Sequence, residues 1–167
     1  MTTPIETEVL QILSAIEIEG SAAQVIEKLG NDAVSLTCDI ASGAVPGLRN
    51  KVRTNAAALL GYMRHPQAKE TVRLLVNDTN HDVALRGLRA AARMKLVSAV
   101  NDIAVALNKP DLSPLLAAEA VKALVAIDSP PAKQAVETYR RSDATTLPHR
   151  NAPVVLNVLS TSQGIKI

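Results

Sequence analysis

Apolar residues recur along this chain at helical spacing, and the pattern returns every 31 to 33 residues. Val52 and Val83 correspond at a spacing of 31, as do Leu74 and Val105, while Val72, Ile103 and Val136 correspond at 31 and then 33. Three units follow one another, at residues 51–78, 82–111 and 112–141. Each has room for two helices. A period of this size marks a repeat whose units bury their apolar faces by stacking on their neighbours. Strict apolar–polar alternation, the mark of a half-buried strand, is rare. Phe and Trp are absent and there are only two Tyr, so Ala, Leu and Val must fill the core. Such side chains suit closely packed helices better than sheets, which draw on aromatic and β-branched residues.

Helix-breaking residues fall in phase with the repeat. Pro4 opens a first helix with Ile5, Val9, Ile12, Leu13 and Ile16 on one side. Ser21 is placed to cap a second helix, Gly30 to close it, and Asn31 to cap a third. The segment Gly43–Gly47 reads as a turn. Ser113-Pro114 and Ser129-Pro130 each put a capping hydroxyl before a proline at the first helical position, where a missing N–H costs least. Pro66 sits equivalently after His65, and Asp82 can cap or charge the start of its helix. About ten helices are expected. They form one domain over 1–162, with capping helices in 1–47, three repeats in 48–141, a last helix in 151–162 and a tail at 163–167.

The segment "VRTNAAALLG" (52–61) resembles the first helix of a HEAT-like repeat, and "RHPQAKETVRLLVND" (64–78) the loop and second helix that follow. The likeness extends in weaker form to 82–111, and 112–141 lacks both the Val-Arg pair and the Leu-Gly. It implies an all-α fold, a short right-handed α-solenoid of antiparallel helical hairpins. In that family the usual work is holding proteins; some relatives bind nucleic acid, and a few excise DNA bases or attach pigments. The arginine after the valine, here Arg53, is implied to pair with a carboxylate of an adjacent turn.

The net charge of +2 hides an uneven distribution. Residues 1–48 sum to −6, residues 49–95 to +7 and the remainder to +1. Such a split marks a partner surface or a solvated charged face. A single cysteine, Cys38, excludes an intrachain disulfide and fits a reduced cytoplasm. No signal peptide is read at the N-terminus, and no apolar run approaches the length of a membrane span.

The sharpest local feature is an arginine stripe. Arg86, Arg89 and Arg93 stand at i, i+3 and i+7, within a wedge of about 60° on one helix. Guanidinium groups so arranged can grip carboxylates or phosphates in forked geometry. Lys69 and Arg73 form a second basic pair four residues apart, and Arg53 and Arg64 share a further face. Stacking of nucleic-acid bases normally uses aromatic side chains, and only Tyr62 and Tyr139 exist.

Other residues fit bland roles. The run Asn77–Asp82 lacks the glycine and closing glutamate of a calcium loop and reads as an inter-helix turn. His65, His81 and His149 fall at loops, without the i, i+4 partner of a helical zinc site, and read as surface residues. Cys38 lies among apolar neighbours and reads as a buried small hydrophobe. Gly61 and Gly87 read as close-packing points. No phosphate loop, nucleophile elbow or dinucleotide fingerprint is present, and no cofactor or metal is expected.

The expectation is a non-enzymatic protein–protein interaction module in the cytoplasm. It would bind an acidic partner protein through Arg86, Arg89, Arg93, Lys69 and Arg73. Weak, sequence-blind nucleic-acid binding through 49–95 and a HEAT-like enzyme, such as a pigment lyase or base-excising enzyme, are the alternatives.

Overall fold

Local hydrogen bonding sets most helix boundaries. In the computed structural model, which describes residues 3–15 and 20–162, every regular element is helical. Ile16, Glu17, Glu19 and the tail at 163–167 lie outside the described residues. Helix α1 (Pro4–Leu13) opens on a reciprocal capping box. The Glu6 N–H donates to Thr3 Oγ1 at 3.2 Å, and the Thr3 N–H donates to Glu6 Oε2 at 2.7 Å. Helix α2 (Gly20–Leu29) begins one residue before Ser21, so that serine lies inside the first turn rather than capping it. Helix α3 (Asn31–Ser42) starts after Gly30, whose φ of +104° suits glycine. Asn31 is the first helical residue and does not cap; its side-chain oxygen lies 3.3 Å from Nε2 of His65.

Each of the three units contains two helices at the expected places, and in the first and third the two pack on each other. Helices α4 (Asn50–Leu60) and α5 (Pro66–Leu75) form the first. Helix α6 (His81–Met94) and helix α7 (Val100–Leu107), preceded by a 3-10 turn at Val97–Ala99, occupy the second unit, but α6 packs on α4, α5 and α8, and α7 on α8 and α9, rather than on each other. Helices α8 (Pro114–Ile127) and α9 (Pro130–Arg141) form the third. A 3-10 turn at Pro148–Asn151 leads into α10 (Pro153–Ser162). Ser113 and Ser129 cap α8 and α9 through the N–H groups of Leu116 and Ala132. His65 caps α5, its Nδ1 accepting from the Gln67 N–H. Asn80 caps α6, and Asp82 supplies charge to that first turn.

The helices pack in two rows. One runs α4, α6, α8, α10, each against the next; the other places α3 on α5, α5 on the turn before α7, and α7 on α9. The rows meet where α5 packs on α6 and α8 packs on both α7 and α9. Val72, Leu75, Leu88, Ile103, Leu107 and Leu124 are buried as their register predicts, whereas Val136 is only half-buried. Removing each such aliphatic side chain from water stabilises the fold by about 1.5–3 kcal/mol.

Two glycines fix how closely neighbouring helices approach, one within a row and one between the rows. A Cβ on Gly61 would lie 2.8 Å from both Cα and Cβ of Ala90, which seats α4 against α6. A Cβ on Gly87 would lie 2.8 Å from the Leu75 carbonyl carbon, which seats α6 against α5.

Candidate functional site

Helix α6 buries Val83, Ala84, Gly87, Leu88, Ala90 and Ala91 on one side. Gly87 marks the side that meets α5. Arg89 lies two residues further on, about 160° away around the helix, so the arginine stripe faces away from α5.

The stripe is held by two neighbours that the sequence reading overlooked. Arg89 Nε donates to Glu119 Oε2 on α8 at 3.1 Å, and Lys122 Nζ donates to Glu119 Oε1 at 2.9 Å. Glu119 is only 8% exposed. Burial pushes its carboxyl toward the neutral form, but the hydrogen bonds and charges of Arg89 and Lys122 outweigh this and hold it below the usual carboxylate range. Arg93 sits over the Tyr62 ring, its guanidinium carbon 3.9 Å from the centroid, in a cation–π contact. Arg86 is exposed and makes no ion pair among the described residues. Among the described residues these four cations have one paired carboxylate between them, Glu119, and two of the arginines are held by a neighbour.

Lys69 and Arg73 do not join them. Leu75 is the α5 residue that meets Gly87 of α6, and Arg73, two residues before it, turns about 160° away. Arg73 is also committed. It forms a bidentate pair with Glu70 at 2.7–3.2 Å and reaches Asp102 on α7 at 2.9 Å. The bond from Arg73 lowers the Glu70 pKa. Of this pair only Lys69 remains without an ion pair among the described residues. The five basic residues thus divide between opposite sides of the α5–α6 pair.

Several other candidates resolve into scaffold. Arg53 pairs with Asp78 and also donates to the backbone carbonyls of Ala41 and Ser42, as the resemblance implies. The side chain of Asp78 is itself only slightly exposed. Arg64 engages through its backbone, whose N–H donates to Glu27. The Asn77–Asp82 run is the turn between α5 and α6: Asn80 caps, Asp78 accepts from the Asn80 N–H, and Asn77 Nδ2 donates to the Asp102 carbonyl. Cys38 is buried, and desolvation raises its thiol pKa. Among the described residues no three His, Cys, Asp or Glu side chains group to hold a metal, and no helix is long and apolar enough to cross a membrane.

His149 corrects the sequence reading. It is 5% exposed rather than a surface loop residue. Its Nδ1 lies 2.8 Å from the Tyr139 hydroxyl, its Nε2 lies 3.0 Å from the Lys109 carbonyl, and its ring stacks on that of Tyr139. His65 and His81 remain at the surface as expected, half-buried and exposed respectively.

A sequence signal for Glu119 did exist. Arg89–Glu119, Arg73–Asp102 and Arg53–Asp78 are separated by 30, 29 and 25 residues. Arg89 and Arg73 each reach a carboxylate about one repeat period further on, and Arg53 reaches one at the far end of its own unit. Tyr62, beneath Arg93, stands at a comparable spacing, 31 residues before it. Compared with known proteins, the chain matches no family model and no curated sequence.

Proposed function

We propose that this chain is a non-enzymatic protein–protein interaction module, a short HEAT-like α-solenoid that holds an acidic partner protein on the outer face of α6. The right-handed sense of such a solenoid is what the family resemblance implies. The two-row packing of successive units supports the stacked architecture. One observation carries the functional reading. Among the described residues Arg89 and Lys122 share one buried carboxylate, Glu119, while Arg93 rests on Tyr62 and Arg86 has no ion pair, which supports a surplus of positive charge on this face. Two of its guanidinium groups are already oriented and lose little freedom on binding. Charge of one sign on one face speeds encounter and selects partners more than it stabilises a fold. The partner side chains that match are carboxylates, accepted edge-on by the guanidinium forks.

The test is capture from a lysate of the native organism by the full chain and by an Arg86→Glu/Arg93→Glu variant. Arg89 is kept so that Glu119 stays paired. The wild-type protein is expected to retain a discrete acidic protein, and the variant to lose it while its circular dichroism and melting stay unchanged. Equal recovery by the two proteins would remove α6 from the site. Steeply salt-dependent binding of random duplex DNA, with no protein retained, would favour phosphate recognition instead.

A further inference from the structure

We infer that the α6 face also docks a second copy of this chain, through a stripe of aspartates on the outer side of α3. The inference rests on the reading of α6 as a carboxylate-binding face and names one occupant for it.

The aspartate stripe follows from the local sequence. Helix α3 buries Ala33, Val34, Thr37, Cys38, Ile40 and Ala41 on one side. Asp32 and Asp39 are seven residues apart, so they point the same way to within about 20°, opposite the middle of the buried side. Both are exposed, and neither side chain makes a hydrogen bond or ion pair among the described residues. The helix carries no basic residue to offset them.

Spacing and charge both match α6. Arg86 and Arg93 are exposed and also seven residues apart, and at the helical rise each pair is separated by about 10.5 Å along its axis. Two helices laid side by side therefore bring each aspartate onto one arginine. Neither arginine makes a hydrogen bond or ion pair among the described residues, so their N–H groups remain for a carboxylate. Within one chain the stripes do not meet. Helix α3 packs on α1, α2, α4 and α5, and α6 packs on α4, α5 and α8, each with its charged side turned outward. The split along the sequence, −6 over 1–48 against +7 over 49–95, thus reappears as two surfaces that satisfy each other only between copies.

Such a contact joins unlike surfaces, so each copy in a pair keeps one free stripe of each sign and the association can extend. Exposed ion pairs are individually weak and screened by salt, so the association is weak and salt-sensitive. A copy seated on α6 covers the arginines that would hold another acidic protein, so the two occupants compete.

The test is analytical ultracentrifugation of the full chain from micromolar to millimolar concentration, at low and high salt. Self-association is expected at low salt and should be lost at high salt. Arg86→Glu/Arg93→Glu, Asp32→Lys/Asp39→Lys and the milder Asp32→Asn/Asp39→Asn all change exposed positions, and each should weaken it at least about tenfold with circular dichroism unchanged. An equimolar mixture of the first two variants should associate again, because each retains the stripe that the other has lost. The inference fails if the chain stays monomeric throughout, if both aspartate variants associate like wild type, or if the mixture stays monomeric. Capture of an acidic protein by a chain that stays monomeric would overturn this inference alone and leave the α6 reading standing. Self-association and capture both unaffected by Arg86→Glu/Arg93→Glu would overturn the two together.

Discussion

The Tyr139 hydroxyl and His149 Nδ1 lie 2.8 Å apart in the interior, with the His149 Nε2 3.0 Å from the Lys109 carbonyl. A carbonyl only accepts, so in the neutral ring Nε2 carries the proton and Nδ1 accepts from the phenol. The pair joins the end of α9, the turn before α10 and the end of α7. Burial pushes the Tyr139 pKa up to about 12. An unfolded tyrosine ionises near 10, so between these values the unfolded chain has lost a proton that the folded chain keeps. Stability should therefore fall as pH rises from about 10 toward about 12. In a Tyr62→Phe variant Tyr139 is the only tyrosine, and its ultraviolet titration should show the delayed ionisation directly. Ionisation near 10 without unfolding would contradict the buried pair.

Gly87→Ala should destabilise the protein although alanine is the better helix former. The gain in helix propensity is about 1 kcal/mol. Against it, the new methyl would sit 2.8 Å from the Leu75 carbonyl carbon and 3.0 Å from the Val76 nitrogen, both backbone atoms that cannot swing aside. A net loss of about 1–3 kcal/mol is expected from such overpacking. Urea denaturation measures it; an unchanged midpoint would mean that α5 and α6 are not in this contact.

Glu119→Gln should cost about 1–3 kcal/mol near neutral pH, because it removes the charge that orders Arg89 and Lys122. The folded pKa of Glu119 lies below its ordinary value. Its contribution is therefore fully present above the unfolded pKa of about 4.3 and disappears as pH falls through the lower folded value. The difference in stability between wild type and variant should shrink in acid. A difference independent of pH would argue for a purely steric role.

Ile103→Ala should cost about 2–5 kcal/mol, since Ile103 is fully buried. Val105→Ala, two residues away on the solvent side of the same helix, should change stability by less than about 0.5 kcal/mol. Thermal melting of both variants tests the register of α7 in one comparison.

Much of the local structure was legible because it depends on neighbours in sequence. A serine before a proline caps a helix through an N–H only three residues on, as Ser113 and Ser129 do. Ser21 and Asn31 show the limit of that reasoning. Both have capping chemistry, but α2 starts at Gly20 and α3 starts at Asn31 itself, directly after the left-handed Gly30. The candidate site was legible only in part. The wedge holding Arg86, Arg89 and Arg93 follows from helical geometry, yet their partners sit on α8 and just beyond α4.

The sequence by itself determined the helical character, the serine caps of α8 and α9 and the glycines at which helices must touch. Those features follow from short-range hydrogen bonding and from the periodicity of apolar residues. Only the tertiary structure decided which matching residues meet solvent and which charges are already spent. Val72 and Ile103 repeat at the same spacing as Leu74 and Val105, but the first two are buried and the last two exposed. The period is common to every face of a helix, and the face that becomes interior is set by the neighbour it packs against. For the same reason His149, read as a loop residue, became interior when the turn before α10 folded over α7 and α9, and Arg73 was neutralised when Asp102 arrived from the next repeat.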